Sequence, residues 1–162
     1  MQTNKFFQAS LIGLIAALAA CSSSSTDAAT GTVDSGPGAG ANPTIAITSP
    51  ANNGTLTLAA DKTGDIAFTT TNFTLKAPGS CAGAALCGHV HVLVDGTACN
   101  DTASAAPYNI AANASPAAAN FSFCPTADGA HTIVLELHND DHTPFQINGQ
   151  TVSATIAITT SG

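Results

Sequence analysis

Two stretches of this chain alternate apolar and polar side chains with a period of two residues, and they constrain the fold more than any other feature. In residues 88–94 the three valines share one face, while His89 and His91 share the other. In residues 131–138 Ile and Leu form the apolar face, and His138 lies opposite. This alternation predicts two half-buried β-strands with their apolar faces toward a core. Side by side, they would carry three histidines on one outer face.

Shorter segments of the same kind continue to the end of the chain. Pro, Gly, Asn and Asp residues separate them, and no helical period is present. We therefore predict seven or eight strands in an all-β, antiparallel sandwich. The predicted strands are residues 44–48, 55–58, 65–76, 88–94, 108–111, 120–124, 131–138 and 152–160.

The charge balance excludes one class of partner. The chain has a formal net charge of -7, with three basic residues against ten acidic ones. A protein that binds phosphate backbones needs a positive surface, so we expect no nucleic-acid partner.

The N-terminal residues 1–20 have the pattern of a signal peptide. One positive charge, Lys5, precedes an apolar run of about ten residues, which is too short to span a bilayer. The run ends in Leu18-Ala19-Ala20-Cys21, which resembles the lipobox of bacterial lipoproteins. That resemblance implies a lipid on Cys21 and a membrane anchor in the cell envelope, and Ser22 favours the outer membrane. The alternative is an ordinary secretory signal.

Residues 21–43 comprise the lipidated Cys and a Ser/Gly/Ala-rich tether with little that could be buried. Such a composition is typical of disordered linkers. We expect residues 44–162 to form the folded domain.

Four cysteines remain after Cys21, an even number in an exported chain. Two disulfides are their expected use, with three possible connectivities. A four-cysteine zinc site is the alternative, although the paired CxxC spacing typical of such sites is absent. The four are Cys81, Cys87, Cys99 and Cys124.

Several short motifs resemble bacterial immunoglobulin-like and fibronectin type III-like surface domains. They are Ile45-Ala46-Ile47-Thr48-Ser49-Pro50, Asn53-Gly54, Gly88-His89-Val90-His91, Asp128-Gly129-Ala130-His131 and Asp141-His142-Thr143-Pro144. The resemblance covers most of residues 44–162 and implies a Greek-key topology in which strands C and F are neighbours. It also implies the disulfides Cys81–Cys87 and Cys99–Cys124, and it puts His131 where such domains have a corner tyrosine.

The same topology brings His89, His91 and His138 together, and His142 could fold back from the loop after strand F. Three imidazoles arranged in this way can bind zinc or copper. The alternative is a solvated sheet face of ordinary polar residues, or a contact surface for a protein or glycan that also uses Leu93 and Val134. A calcium site at Asp61, Asp65 and residues 139–141 is less well supported, because no spaced DxDxDG loop is present.

Residues 88–109 and 138–141 also resemble the copper-ligand segments of Cu/Zn superoxide dismutase, another Greek-key sandwich. The resemblance implies that copper is a candidate ligand. The chain departs from that family because Tyr108 stands near the position of the metal-bridging histidine, and because no arginine is present to guide a substrate.

The sequence lacks the motifs of hydrolases and phosphate-binding enzymes, including GxSxG and HExxH. We therefore expect a non-catalytic, lipid-anchored envelope domain that acts in binding or adhesion. The alternative is a copper- or zinc-binding module.

Overall fold

The computed structural model describes residues 41–104 and 106–162. The predicted signal peptide, the lipid attachment at Cys21 and most of the predicted tether lie outside the described residues. Within the described part of the chain, no helix is long and apolar enough to cross a membrane.

The described residues form eleven strands and one short 3-10 helix, Phe121–Phe123, between β7 and β8. The strands are β1 (Thr44–Ser49), β2 (Gly54–Thr57), β3 (Thr63–Thr71), β4 (Thr74–Leu75), β5 (Cys87–Val94), β6 (Ile110–Ala112), β7 (Ala117–Asn120), β8 (Gly129–Asn139), β9 (Gln146–Ile147), β10 (Gln150–Thr151) and β11 (Ser153–Ser161).

The strands form one large sheet, one sheet of three strands and a two-stranded hairpin. The large sheet has the order β2-β11-β8-β5-β4, with β6 also paired to β5. The three-stranded sheet has the order β1-β3-β7, and β9 pairs with β10. The long antiparallel pairs β5–β8 and β8–β11 form the centre of the large sheet, where β5 supplies the candidate site.

Apolar side chains from both larger sheets form one core. Val90, Val92 and Val94 of β5 are fully buried together with alternate residues of β8, as the period-two pattern predicts. The three-stranded sheet contributes Ile66 and Phe68 to the same cluster. The opposite face of β5 is therefore the one that carries the histidines.

A mostly β chain with two disulfides is confirmed, but the strand count and the pairing differ from the prediction. Eleven strands are present instead of seven or eight, because several are only two or three residues long. The sheets are also not wholly antiparallel, since β2 pairs with β11 and β4 pairs with β5 in parallel.

Two predicted strands are wrong in detail, each for a local reason. The predicted strand 65–76 ends at residue 71, because Asn72 has a left-handed backbone conformation with φ of 54° and breaks the extended chain. The predicted strand 120–124 is instead a 3-10 turn that buries Phe121 completely. Asn120 caps this turn, since its side-chain oxygen accepts a hydrogen bond from the Ser122 amide at 2.9 Å.

The two disulfides join Cys81 to Cys87 and Cys99 to Cys124. The first closes a short loop that leads directly into β5. The second links the segment after β5 to the residue that follows the 3-10 turn. These are the pairs that the immunoglobulin-like arrangement implies, and both lie next to the strand that carries the histidines.

Candidate metal centre

Strand β5 places His89 and His91 on one face because residues two apart in a strand point the same way. The strand can approach β8 closely at this point because residue 88 is a glycine. A Cβ atom at Gly88 would overlap the carbonyl oxygen of His138. The residue before the first histidine therefore fixes the spacing of the two strands beneath the site.

His142 reaches the same place from a tight turn after β8. The His142 amide donates to the Asn139 carbonyl at 3.1 Å, and the Asn139 amide donates to the Thr143 carbonyl at 2.8 Å. The Asp141 carboxylate accepts from the Thr143 hydroxyl at 2.6 Å and from its amide at 3.0 Å, and these hydrogen bonds lower the pKa of Asp141. His142 itself has a left-handed backbone with φ of 66°, which turns its ring back toward β5.

Three ring nitrogens converge at this point, and we call these residues the three-histidine group. His89 Nε2 lies 3.0 Å from His91 Nε2 and 3.2 Å from His142 Nδ1, and the last two atoms are 3.1 Å apart. A tetrahedral ion with metal–nitrogen bonds of about 2.0 Å would hold its ligand nitrogens roughly 3.3 Å apart. The observed triangle is within a few tenths of an ångström of that size, so the group could hold a metal ion.

Hydrogen bonds cannot join all three pairs of nitrogens in this triangle. Each of the three nitrogens presents either an N–H or a lone pair toward the others, never both. Among three nitrogens, at least two must therefore present the same group to each other, either two N–H groups or two lone pairs. A cation at the centre would instead interact favourably with all three lone pairs.

Burial keeps the two strand histidines in the neutral form that a metal requires. Relative exposure is 0% for His89 and 3% for His91. Desolvation lowers the pKa of His89 to about 4, helped by nearby His142 and His138. Desolvation also lowers the pKa of His91 to about 3, with His138 as the next contributor. Both rings are thus unprotonated lone-pair donors at neutral pH.

The ring of His91 lies between two other rings. The His138 ring stacks on it with a centroid distance of 3.6 Å, and the Tyr108 ring lies at 3.8 Å. His138 Nδ1 donates to the backbone carbonyl of His142 at 2.8 Å. His138 therefore supports one ligand by stacking and another by a hydrogen bond to its backbone.

One atom beside the triangle has no partner. His89 Nδ1 is buried and has no hydrogen-bond partner among the described residues. Leaving a buried polar group unpaired costs about 1 to 3 kcal/mol. A metal bound at Nε2 would not relieve this cost, because Nδ1 would then carry the N–H of the ring.

Asp140 connects the site to the first disulfide. Its carboxylate accepts hydrogen bonds from the amides of Ser80 at 2.9 Å and Cys81 at 3.2 Å. The Gly79 amide donates to the Asp140 carbonyl at 3.2 Å. The turn that carries His142 is therefore tied to the disulfide loop that leads into β5.

A second group of potential ligands is used differently. Asp95, Cys99, Cys124 and His131 lie close together, but the two sulfurs form a disulfide and cannot bind a metal as thiolates. Asp95 lies 2.7 Å from His131 Nδ1 and accepts from the Thr132 amide at 2.7 Å. His131 Nε2 lies 3.2 Å from the Ala127 carbonyl, so this histidine is bonded to backbone as expected for a corner residue.

Among the four predicted ligands, the structure brings together His89, His91 and His142. His138 pairs with His89 in register, as predicted, but it lies beside the three-histidine group instead of within it. The expectation of a solvated outer face is wrong, because three of the four histidines are buried and only His142 is exposed. Sequence reasoning also missed the packing of Tyr108 on His91 and the anchoring role of Asp140, which no periodic pattern signals.

Comparison with known proteins finds no family model, no curated protein and no solved structure that this chain matches.

Proposed function

We propose that this protein binds one transition-metal ion, copper or zinc, through His89, His91 and His142. The observation that carries the proposal is the triangle of three ring nitrogens at 3.0, 3.1 and 3.2 Å. Neutral imidazoles suit both copper and zinc. The lowered pKa values of the two buried histidines support the same conclusion, because protons compete weakly with a metal there.

Elemental analysis of the full-length chain after exposure to Cu(II) or Zn(II) and exhaustive dialysis tests the proposal. The chain would carry Cys21→Ser, which removes the one cysteine outside the two disulfides. We expect about one ion per chain, as in a three-histidine site. His142→Gly is the sharpest loss variant, because glycine accepts the left-handed backbone without strain.

The matched control is Gln146→Ala, which changes an exposed residue of the same connection between β8 and β11. It should retain the ion, while His142→Gly and His89→Leu should lose it. Equal metal content in the wild type and His142→Gly would refute the assignment of these ligands.

We also propose an immunoglobulin-like, Greek-key fold for residues 44–162. The adjacency β5-β8-β11 supports this proposal, since it corresponds to the C-F-G order of such domains. The three-stranded sheet β1-β3-β7 shares a core with it. The two implied disulfide pairs add further support.

The lipobox-like segment before Cys21 supports a lipid-anchored position in the bacterial envelope, at the outer membrane by the Ser22 pattern. Cys21→Ser, or a block of lipoprotein processing, should then increase the apparent mass and remove the protein from the outer-membrane fraction. An unchanged mass and fractionation would refute the anchor.

Binding of a protein or glycan partner is the second candidate function. It is favoured by Leu93 and Val134, which pair directly across β5 and β8 and are both only half-buried on the outer face. A Leu93→Ser/Val134→Ser variant that kept its metal but lost attachment to envelope material would support this use. Attachment equal to that of the wild type would count against it.

A further inference from the structure

A cleft of about 430 Å³ opens beside the three-histidine group. His91 and His142 lie in its wall, whereas His89 does not. The cleft therefore adjoins the triangle at these two residues. A tetrahedral metal with three protein ligands keeps one position for an outside donor.

Half of the residues that line the cleft are apolar or aromatic. They are Leu93, Pro107, Tyr108 and Pro144, which come from three separate segments of the chain. The volume lies within the range of roughly 300 to 1,000 Å³ that is typical of sites for small organic molecules. Rings and prolines around a space of this size suit a flat, apolar group.

The side chains that line the cleft include one carboxylate. Glu136 contributes a carboxylate, and its side chain is 29% exposed. Among the described residues that line the cleft, none is a lysine or an arginine. The chain as a whole has a net charge of -7. A divalent ion held by three neutral imidazoles would add two positive charges beside this carboxylate, so the charge of the metal-loaded cleft does not exclude an anion.

We propose that this cleft binds a small, planar organic molecule that carries a donor atom for the metal. The donor takes the open metal position between His91 and His142, and the apolar ring of the ligand packs against Tyr108 and Leu93. The inference rests on the metal binding proposed above. It goes beyond that proposal by naming a ligand class and the residues that select it.

The test compares imidazole with 4-phenylimidazole on the zinc-loaded, full-length chain by isothermal titration calorimetry. Both probes offer the same donor nitrogen, and only the second offers a ring for the cleft. Burial of that ring should tighten binding by about tenfold or more.

Pro107→Ala and Leu93→Ser should each reduce the preference for 4-phenylimidazole while leaving the zinc content unchanged. Using two variants guards against one that fails to fold. The matched control is Phe123→Ser, an exposed apolar residue outside the cleft, which should keep the wild-type preference. Comparing each variant's preference with that of the wild type also cancels any difference in donor strength between the two probes.

Zinc content measured in the same samples separates the two proposals. If zinc is retained but the phenyl ring gives no gain, or the gain survives in both cleft variants, the ligand inference is overturned and the metal site stands. If the wild type retains no zinc, the metal site fails and the ligand inference falls with it.

Discussion

Replacing His89 with leucine is expected to stabilise the metal-free protein. When metal is present, the wild type should instead be the more stable of the two proteins. His89 is fully buried, its Nδ1 atom has no partner among the described residues, and its Nε2 atom faces two other ring nitrogens. Leucine removes the unpaired group and occupies a similar volume in the same buried space. Removing an unsatisfied buried polar group is worth about 1 to 3 kcal/mol, so we expect a gain of about 1 kcal/mol or more.

Of the two proteins, only the wild type should be stabilised by metal. An ion that binds only the folded state stabilises it by about 2.7 kcal/mol at a concentration one hundred times its dissociation constant. The metal-bound wild type should then be more stable than His89→Leu by up to about 1.7 kcal/mol, which is the metal gain of about 2.7 kcal/mol less a leucine gain of about 1 kcal/mol.

Urea unfolding at pH 7, with a chelator or with Zn(II), measures both differences on the full-length Cys21→Ser chain. The reasoning is refuted if the metal-free wild type is as stable as His89→Leu, because the unpaired nitrogen would then carry no cost. It is also refuted if zinc stabilises both proteins equally, since the ion would then bind at another place.

Further predictions concern pH, backbone spacing and charge. Because the pKa values of His89 and His91 are lowered to about 4 and about 3, the unfolded chain takes up protons that the folded one does not as the pH falls below about 6.5. The unfolding free energy of the metal-free protein should therefore decrease as the pH is lowered, by up to about 1.4 kcal/mol per pH unit for each histidine. In urea titrations between pH 7 and 4.5, His91→Leu should show a weaker dependence of this free energy on pH. Gly88→Ala should destabilise the chain by about 1 to 3 kcal/mol, because the new Cβ must displace the backbone of His138; a circular-dichroism melt unchanged from the wild type would contradict the close approach. Asp140→Asn keeps a hydrogen-bond acceptor for the amides of the disulfide loop but removes a negative charge that raises the pKa of His89. A competition titration should therefore show metal affinity reduced by up to about tenfold, with little change in the free energy of unfolding.

The sequence predicts the strands beneath the site well, because alternation is a strong signal where one face is buried. Strand β5 was expected at residues 88–94 and is Cys87–Val94, and β8 extends the expected 131–138 by a few residues. The prediction fails where single residues control the backbone. The left-handed Asn72 and the capping Asn120 decide the local path there, and neither leaves a periodic pattern.

The site could be predicted only in part for a similar reason. His89 and His91 follow from the strand period, but the burial of their face depends on segments that pack over it from elsewhere in the chain. The choice of His142 over His138 as the third member depends on the turn after β8, which a period-two pattern cannot describe.

The packing of Tyr108 on His91 has a practical consequence. Tyr108 is the only tyrosine of the chain, and no tryptophan is present. Any intrinsic emission near 300 nm, roughly the range where phenols fluoresce, would therefore come from a single ring within contact distance of a candidate ligand. Paramagnetic Cu(II) should quench that emission, while closed-shell Zn(II) should leave it largely intact. The unlabelled protein thus carries its own optical reporter of which ion occupies the site.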